Sequence, residues 1–380
     1  DEYTKSGLGT GLEYRMVAPG GVSSRWWIYH IDDSVTDKSF WEVKALHDQR
    51  SPDKTGGYLS IDYVNEKDFY REFGSHFQDR SKRFLQSTGE VDIPFSDSRL
   101  YGLSQYWVDL KNQTEDVPQR LPELGYVLNY TPLGSFLLST SMDATNFWRD
   151  GGQSAGRADV YPRVLHSVGT DYVLSQAVGL RGTAYSYYGS TDSEDSTGRA
   201  AFEYQAVGHT RLFKQYGSFT HVIEPSIGYH FISSSKNDLP VFDSTETFGK
   251  TSLIELSLLN RGIVKGNELF DVRLTQQIDT YKGDHPFLPF ELEAMTNYPF
   301  PLVLKATYDF NKGTVEDVTS ALAVQFLGIA LSAGQEYVRS ANTMMYTAGA
   351  SFSPLKSIHM TGQLWYDAKG EGLQELSLTT

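Results

Sequence analysis

The sequence predicts an all-β chain, a large antiparallel transmembrane β-barrel, and three observations carry that reading. Aromatic residues are 13% of the 380, led by 24 Tyr and 21 Phe, beside 34 Gly. No apolar run approaches the roughly 18 residues of a spanning helix, which excludes an α-helical membrane protein. Alternating apolar and polar segments recur along nearly the whole chain, many about nine residues or longer, close to what a tilted strand needs to cross a bilayer.

Taken in order, the segments begin near residues 7, 22, 39, 56, 81, 99, 119, 134, 159, 172, 199, 219, 251, 266, 287, 301, 318, 329, 343, 357 and 373, about 21 strands in all. In FTHVIEPSIGYHFI (219–232), Phe219, Ile223, Ile227, Tyr229 and Phe231 share one phase and Thr220, Glu224, Ser226 and His230 the other. Near 268–279, Phe270, Val272, Leu274 and Ile278 oppose Asp271, Arg273, Thr275, Gln277 and Asp279. Near 302–310, Leu302, Leu304, Ala306, Tyr308 and Phe310 oppose Lys305, Thr307 and Asp309. In a membrane barrel the apolar phase meets lipid and the polar phase the wet interior.

The connections sort by length. Several after odd-numbered segments are short and rich in Pro or Gly: APGG (18–21), TPLG (131–134), YPFP (298–301) and SPLK (353–356). Those after even-numbered segments tend to be longer and charged: EKDFYREFGSHFQDR (66–80), KNQTEDVPQ (111–119), STDSEDSTG (190–198) and SSSKNDLPVFDSTETFGK (233–250). Tight turns on one side and long loops on the other mark an outer-membrane barrel, the short turns being periplasmic. A soluble sandwich has no reason to sort its loops this way, and no Trp-Asp or Gly-His signature recurs at a propeller period.

Charge and chemistry narrow the function. A net charge of −14 argues against a nucleic-acid binder. With no Cys, neither disulfides nor thiolate metal sites contribute. The first residues, DEYTKSGLGT, have no basic start and apolar stretch, so a secretion signal is expected to lie outside them. His221 and Glu224 are three apart on a strand and point to opposite faces, so they cannot converge on one ion or substrate atom. Pro225 is expected to break the ladder as a bulge. TDSEDS (191–196) has oxygen ligands at calcium-like spacing but lacks the Gly and closing Glu of an EF-hand, which favours a solvated loop. No Gly-x-Ser-x-Gly, His-Glu-x-x-His or phosphate-cradling Gly loop occurs, and the nine His are scattered. The expectation is therefore no enzyme, with no catalytic, metal or cofactor-binding residue. The inward-phase cations Arg181, Arg211, Arg273 and Lys305 can contact anionic cargo, although such residues more often pair with nearby lumen carboxylates.

Several stretches resemble, in order, the barrel of the lipopolysaccharide-assembly outer-membrane proteins of the LptD family, also called organic solvent tolerance proteins. They are DYVNEKDFYREFG (62–74), RLPEL (120–124), YPRV (161–164), HVIEP (221–225), LPVFDS (239–244) and NRGIVKGNELFDVRLTQQ (260–277). The resemblance implies a barrel of about 26 strands preceded by a periplasmic jelly roll. Residues 1–380 then form a barrel domain that lacks the jelly roll and the first and last few strands, so its two end strands should not pair. It also implies a Gram-negative outer-membrane location and translocation of lipopolysaccharide into the outer leaflet. The implied partners are an LptE-like lipoprotein plug in the lumen, the periplasmic lipopolysaccharide bridge and the barrel-assembly machinery. A barrel of that size has a backbone diameter of about 50 Å and must be filled to stay impermeable. The aromatic loops 66–80 and 233–250 are candidates to fold against the lumen wall or a partner. A passive porin or nutrient channel is the alternative function, and a structural or adhesive outer-membrane protein a third.

Overall fold

The computed structural model describes residues 2–3, 7–50, 53–74, 77–111, 117–189, 196–233, 239, 241–355, 358–370 and 372–379. Two short strands, β1 (Glu2–Tyr3) and β2 (Gly7–Leu8), pair with each other. The main sheet begins with β3 (Thr10–Ala18), β4 (Val22–Asp33), β5 (Lys38–Asp48) and β6 (Gly56–Val64), followed by two single-turn helices, α1 (Phe69–Phe73) and α2 (Phe77–Ser81). It continues through β7 (Phe84–Pro94), β8 (Ser98–Asp109), β9 (Gln119–Leu133), β10 (Phe136–Trp148), β11 (Ser154–Val168), β12 (Tyr172–Tyr188), β13 (Ser196–Thr210) and β14 (Leu212–Tyr216). The remainder is β15 (Phe219–Ile232), β16 (Thr251–Val264), β17 (Asn267–Asp279), β18 (Phe290–Thr296), β19 (Leu302–Asp309), β20 (Thr314–Phe326), β21 (Ile329–Val338), β22 (Thr343–Leu355), β23 (Ile358–Asp367) and β24 (Gly372–Thr379).

Strands β3 to β24 make one antiparallel barrel sheet. Because β13 and β14 are a single strand interrupted at Arg211, these 22 strands are 21 spans among the described residues, which match the alternating segments of the sequence one for one.

The chain's contacts gather into two units. One comprises residues 1–165, 178–203 and 233–249, the other residues 166–177, 204–232 and 250–380. In the first, directly opposed residues form two rows one position apart. Glu13, Trp27, Lys44 and Asp62 stand side by side across β3 to β6, and so do Leu12, Ile28, Val43 and Tyr63. Opposed residues of an antiparallel ladder share a face. The first row is therefore the wet face and the second the lipid face, and Leu12, Ile28 and Tyr63 are exposed.

The second unit repeats the arrangement. Leu259, Arg273, Glu293, Lys305, Thr319 and Glu336 form one row across β16 to β21, and Leu258, Leu274, Leu292, Ala306, Val318 and Tyr337 the next. Leu302, Leu304 and Tyr308 belong to the apolar face, Lys305 and Thr307 to the polar one, as the alternation predicts. Phe310, just past β19, extends the apolar face by packing edge-on to Tyr308 at 5.0 Å and Phe290 at 5.9 Å.

The bulge expected at Pro225 is absent from its ladder with β16, where register runs unbroken through Glu224↔Leu259, Pro225↔Leu258 and Ser226↔Ser257. The break lies in the other neighbour, where Arg211 separates β13 from β14 and pairing with β15 resumes at Leu212↔Ile223. Proline lacks an N–H toward only one neighbour, so only that ladder yields.

Replacing Leu304 by Arg puts a charge on the lipid face and is expected to cost about 2–4 kcal/mol near the midplane, against little for Thr307→Arg. Unfolding of both variants from a bilayer in denaturant measures the difference.

Candidate functional site: the lumen-facing wall and its folded-in loops

Two loops of the first unit fold against the polar face. The first follows β6. In α1, Phe69 and Tyr70 are buried and Phe73 packs beside them, because an aromatic pair followed by a third ring four residues on gives one turn a continuous apolar side. Phe69 meets Tyr29 at 6.1 Å and Phe40 at 6.3 Å, and Phe73 meets Phe40 at 5.0 Å. Ile31, Val64, Leu85 and Val108 complete the cluster.

Polar contacts fix the orientation of this helix. The Tyr70 hydroxyl donates to Glu42 at 2.7 Å and Asp62 at 3.3 Å. Glu42 also accepts from the Trp27 indole at 2.9 Å and pairs with Lys44 at 2.6 Å. Burial, then the Glu42 hydrogen bond and charge, raises the Tyr70 pKa, so the phenol stays protonated and donating. The Phe77 side chain lies outside the described residues.

The second loop runs from β15 to β16. Hydrogen bonds draw its residues 241–249 into a compact knot. Glu246 accepts from the backbone N–H groups of Phe242 (3.0 Å) and Asp243 (2.7 Å), and Asp243 accepts from that of Thr245 at 2.7 Å. Arg157 of β11, itself buried, holds the knot to the wall. Its Nη1 donates to Asp243 at 2.7 Å and Glu246 at 3.2 Å, and its Nη2 to Asp143 at 3.2 Å. Arg120 adds a 2.7 Å bond to Asp243, and the Tyr185 hydroxyl a 2.7 Å bond to Glu246. Arg199 donates to the backbone carbonyls of Thr245 and Phe248.

Apolar surface closes around these ions. Phe242 stacks on Phe147 at 5.0 Å, while Phe248 meets Tyr161 edge-on at 5.6 Å. The Arg157 guanidinium lies 4.8 Å from the Phe147 ring and that of Arg181 5.1 Å from Phe248. Burial alone raises the Asp243 pKa, but the hydrogen bond and charge of Arg157 outweigh it and pull the group down to about 2.

Of the cations singled out by phase, Arg181 pairs with Asp159 at 3.0 Å and donates to the Thr245 hydroxyl at 3.2 Å, so it serves the knot. Arg211 pairs with Glu224 at 2.7 Å, and Lys305 with Glu293 at 2.7 Å. Arg273 stands directly opposite Glu293. Arg261, not singled out, pairs with Asp271 at 3.1 Å. All four expected cations therefore face lumen carboxylates. His221 opposes Gly262 and Glu224 opposes Leu259, on opposite faces of β15 as expected. No three His, Asp or Glu side chains are placed to hold a metal ion among the described residues. Residues 191–195 of the calcium-like stretch lie outside the described residues.

Sequence periodicity missed Arg120, Arg157, Arg199, Asp243 and Glu246. A signal was present: VFDSTETF brings two carboxylates between aromatics in a long loop, while Arg157 and Arg199 lie on strands of the same unit.

The wall thus carries a polar face of paired charges, an apolar face one residue out of phase, and aromatic loop segments packed on the polar face. The family model for LPS transport system D, LptD, matches residues 38–259, which is 222 of the 380 and more than half of the chain. The chain belongs to the LptD family. Both folded-in loops fall within the matched stretch. The family transports lipopolysaccharide in the outer membrane and is not an enzyme family. None of the curated proteins compared with the chain matches it.

Removing the Arg157 head group leaves Asp143, Asp243 and Glu246 facing one another. Arg157→Met is expected to cost about 3–5 kcal/mol, the usual loss when one partner of a buried ionic cluster is removed. Faster amide exchange of residues 241–249 in the folded barrel checks this.

The depressed Asp243 pKa sets the direction of the acid response. Its folded value, about 2, lies below the ordinary 3.8, so its contribution is complete above about pH 4 and is lost as pH falls through 2. Amide exchange of residues 243–248, corrected for intrinsic rates, should stay flat from pH 7 to 4 and rise below that.

Proposed function

We propose that this chain is the wall of a lipopolysaccharide translocon. It would pass the sugar chain through its wet interior while the acyl chains enter the outer leaflet sideways, with an LptE-like lipoprotein filling the lumen. Family membership supports the cargo, and the inward-folded loops carry the rest of the reading. A barrel built for free diffusion of small solutes gains nothing from aromatic loops pinned to its inner wall by buried ion pairs, whereas a barrel whose interior must stay sealed does. The same observation speaks against the passive porin or nutrient channel.

The work divides between the faces. Lys305 with Glu293, and Arg211 and Arg261 with Glu224, make a hydrated surface of alternating sign, along which a polar sugar chain exchanges hydrogen bonds without binding tightly at any one point. The apolar row through Leu258, Leu274 and Leu292 keeps the strands in the bilayer. No bond is made or broken, so the energy comes from the periplasmic bridge that delivers the cargo. The barrel-assembly machinery inserts the folded strands.

Photo-cross-linking from single positions tests the reading. A cross-linker at Thr307 or Thr319, on the polar face, is expected to capture lipopolysaccharide in cells, and one at Leu304 or Val318 to capture it far less. Equal capture from both faces would sink the reading. Shortening the 66–80 loop should preserve strand content but raise antibiotic permeability and reduce co-purification of the lipoprotein; unchanged values of both would remove the sealing role.

A further inference from the structure

A groove of about 430 Å³ opens on the apolar face of the second unit, within the roughly 300–1,000 Å³ range of small-molecule sites. Three strands line it: β12 through Tyr172 and Leu174, β13 through Gly208 and Thr210, and β15 through Pro225 and Ile227. Pro225 and Ile227 stand opposite Leu258 and Leu256, on the face of the Leu258, Leu274 and Leu292 row. Gly208 is on the same side, since a Cβ built on it comes within 3.7 Å of the Ile227 Cγ2. Tyr172, Leu174 and Ile227 are exposed, so the groove belongs to the surface that meets hydrocarbon.

The sequence makes the recess. Gly208 has no side chain to cover the strand, and beside it the wall is interrupted, β13 ending at Thr210 and β14 starting at Leu212 opposite Ile223. The Thr210 hydroxyl donates to the Asp171 carbonyl at 2.7 Å and is thereby engaged. The groove lies toward the short-turn end of the wall, because β12 begins at Tyr172 directly after the turn 169–171, and the turn 217–218 joins β14 to β15. Beyond the groove, toward that end, stands Lys214, whose partner His221 is four residues from Pro225 and therefore on the same face. Four residues of strand span about 13 Å, which puts the ammonium on the water side of the groove. It lies 5.2 Å from the Tyr216 ring, and no carboxylate among the described residues pairs with it.

We propose that this groove holds one acyl chain of an anionic glycerophospholipid from the periplasmic leaflet, with Lys214 meeting the lipid's phosphate. A recess in a wall that faces hydrocarbon loses dispersion contacts unless hydrocarbon fills it, and in a bilayer the filler is an acyl chain. The order of groups along the strands matches such a lipid: a cation for the phosphate, the exposed Tyr172 and Tyr216 rings at the level where aromatic side chains gather between water and hydrocarbon, and the apolar recess below them. The short turns are the periplasmic ones, which selects that leaflet. The site rests on which face of the wall meets the membrane and is independent of what the barrel carries.

Native mass spectrometry of the full chain, folded in a non-ionic detergent, tests it with three probes: palmitoyl-oleoyl phosphatidylglycerol, palmitoyl-oleoyl phosphatidylcholine and dihexanoyl phosphatidylglycerol. One long-chain phosphatidylglycerol is expected to stay bound when the detergent is stripped, severalfold more than phosphatidylcholine, and the short-chain lipid is expected to leave. Gly208→Leu fills the groove with an apolar side chain at a position where a Cβ meets only ordinary contacts. It should lower the retained lipid at least tenfold, while Ala306→Leu, on the same face but away from the groove, should leave it unchanged. Lys214→Gln should erase the preference for phosphatidylglycerol. Full retention by Gly208→Leu while its unheated band on a gel shows a folded barrel overturns the proposal, as does an equal loss in Ala306→Leu or equal retention of the short-chain lipid. An unchanged preference in Lys214→Gln overturns the assignment of the phosphate to Lys214.

Discussion

The structure depends on one constraint: backbone N–H and C=O groups that cross hydrocarbon must be satisfied by the protein itself. Strands meet it only by pairing along their whole length. The ladders from β15 through β18 meet it with opposed residues in continuous register apart from one shift near Gly262. Once pairing is fixed, side-chain direction follows with a period of two. The register that lines up Arg273, Glu293 and Lys305 on the polar face also lines up, one position away, Leu274, Leu292 and Ala306 on the apolar one.

A wall built this way has a polar inner face, and the inner face needs partners. Short cross-strand pairs such as Lys305 with Glu293 supply them locally. Around β9 to β13 the wall carries Arg120, Arg157, Arg181 and Arg199, whose partners come partly from a distant loop, through Asp243, Glu246 and the Thr245 carbonyl. Arg157 is buried, so its charge is tolerable only because three carboxylates surround it. The cluster thereby specifies one position for the loop more than it adds stability. The α1 turn follows a different logic, with aromatic burial supplying the contact and the Tyr70 hydroxyl its orientation.

The sequence by itself determined the strands, their number and their faces. Alternation at period two is a local property of strands such as 302–309, and the apolar side of Leu302, Leu304 and Tyr308 can be read without any neighbour. The sorting of short and long connections was equally legible, since Gly and Pro mark tight turns in the chain itself. Tertiary structure alone decided which charges meet. Asp243 and Arg157 are 86 residues apart, and no periodicity links them. The effect of Pro225 was decided in the same way, because it depends on which neighbouring strand its missing N–H faces, and the break fell at Arg211.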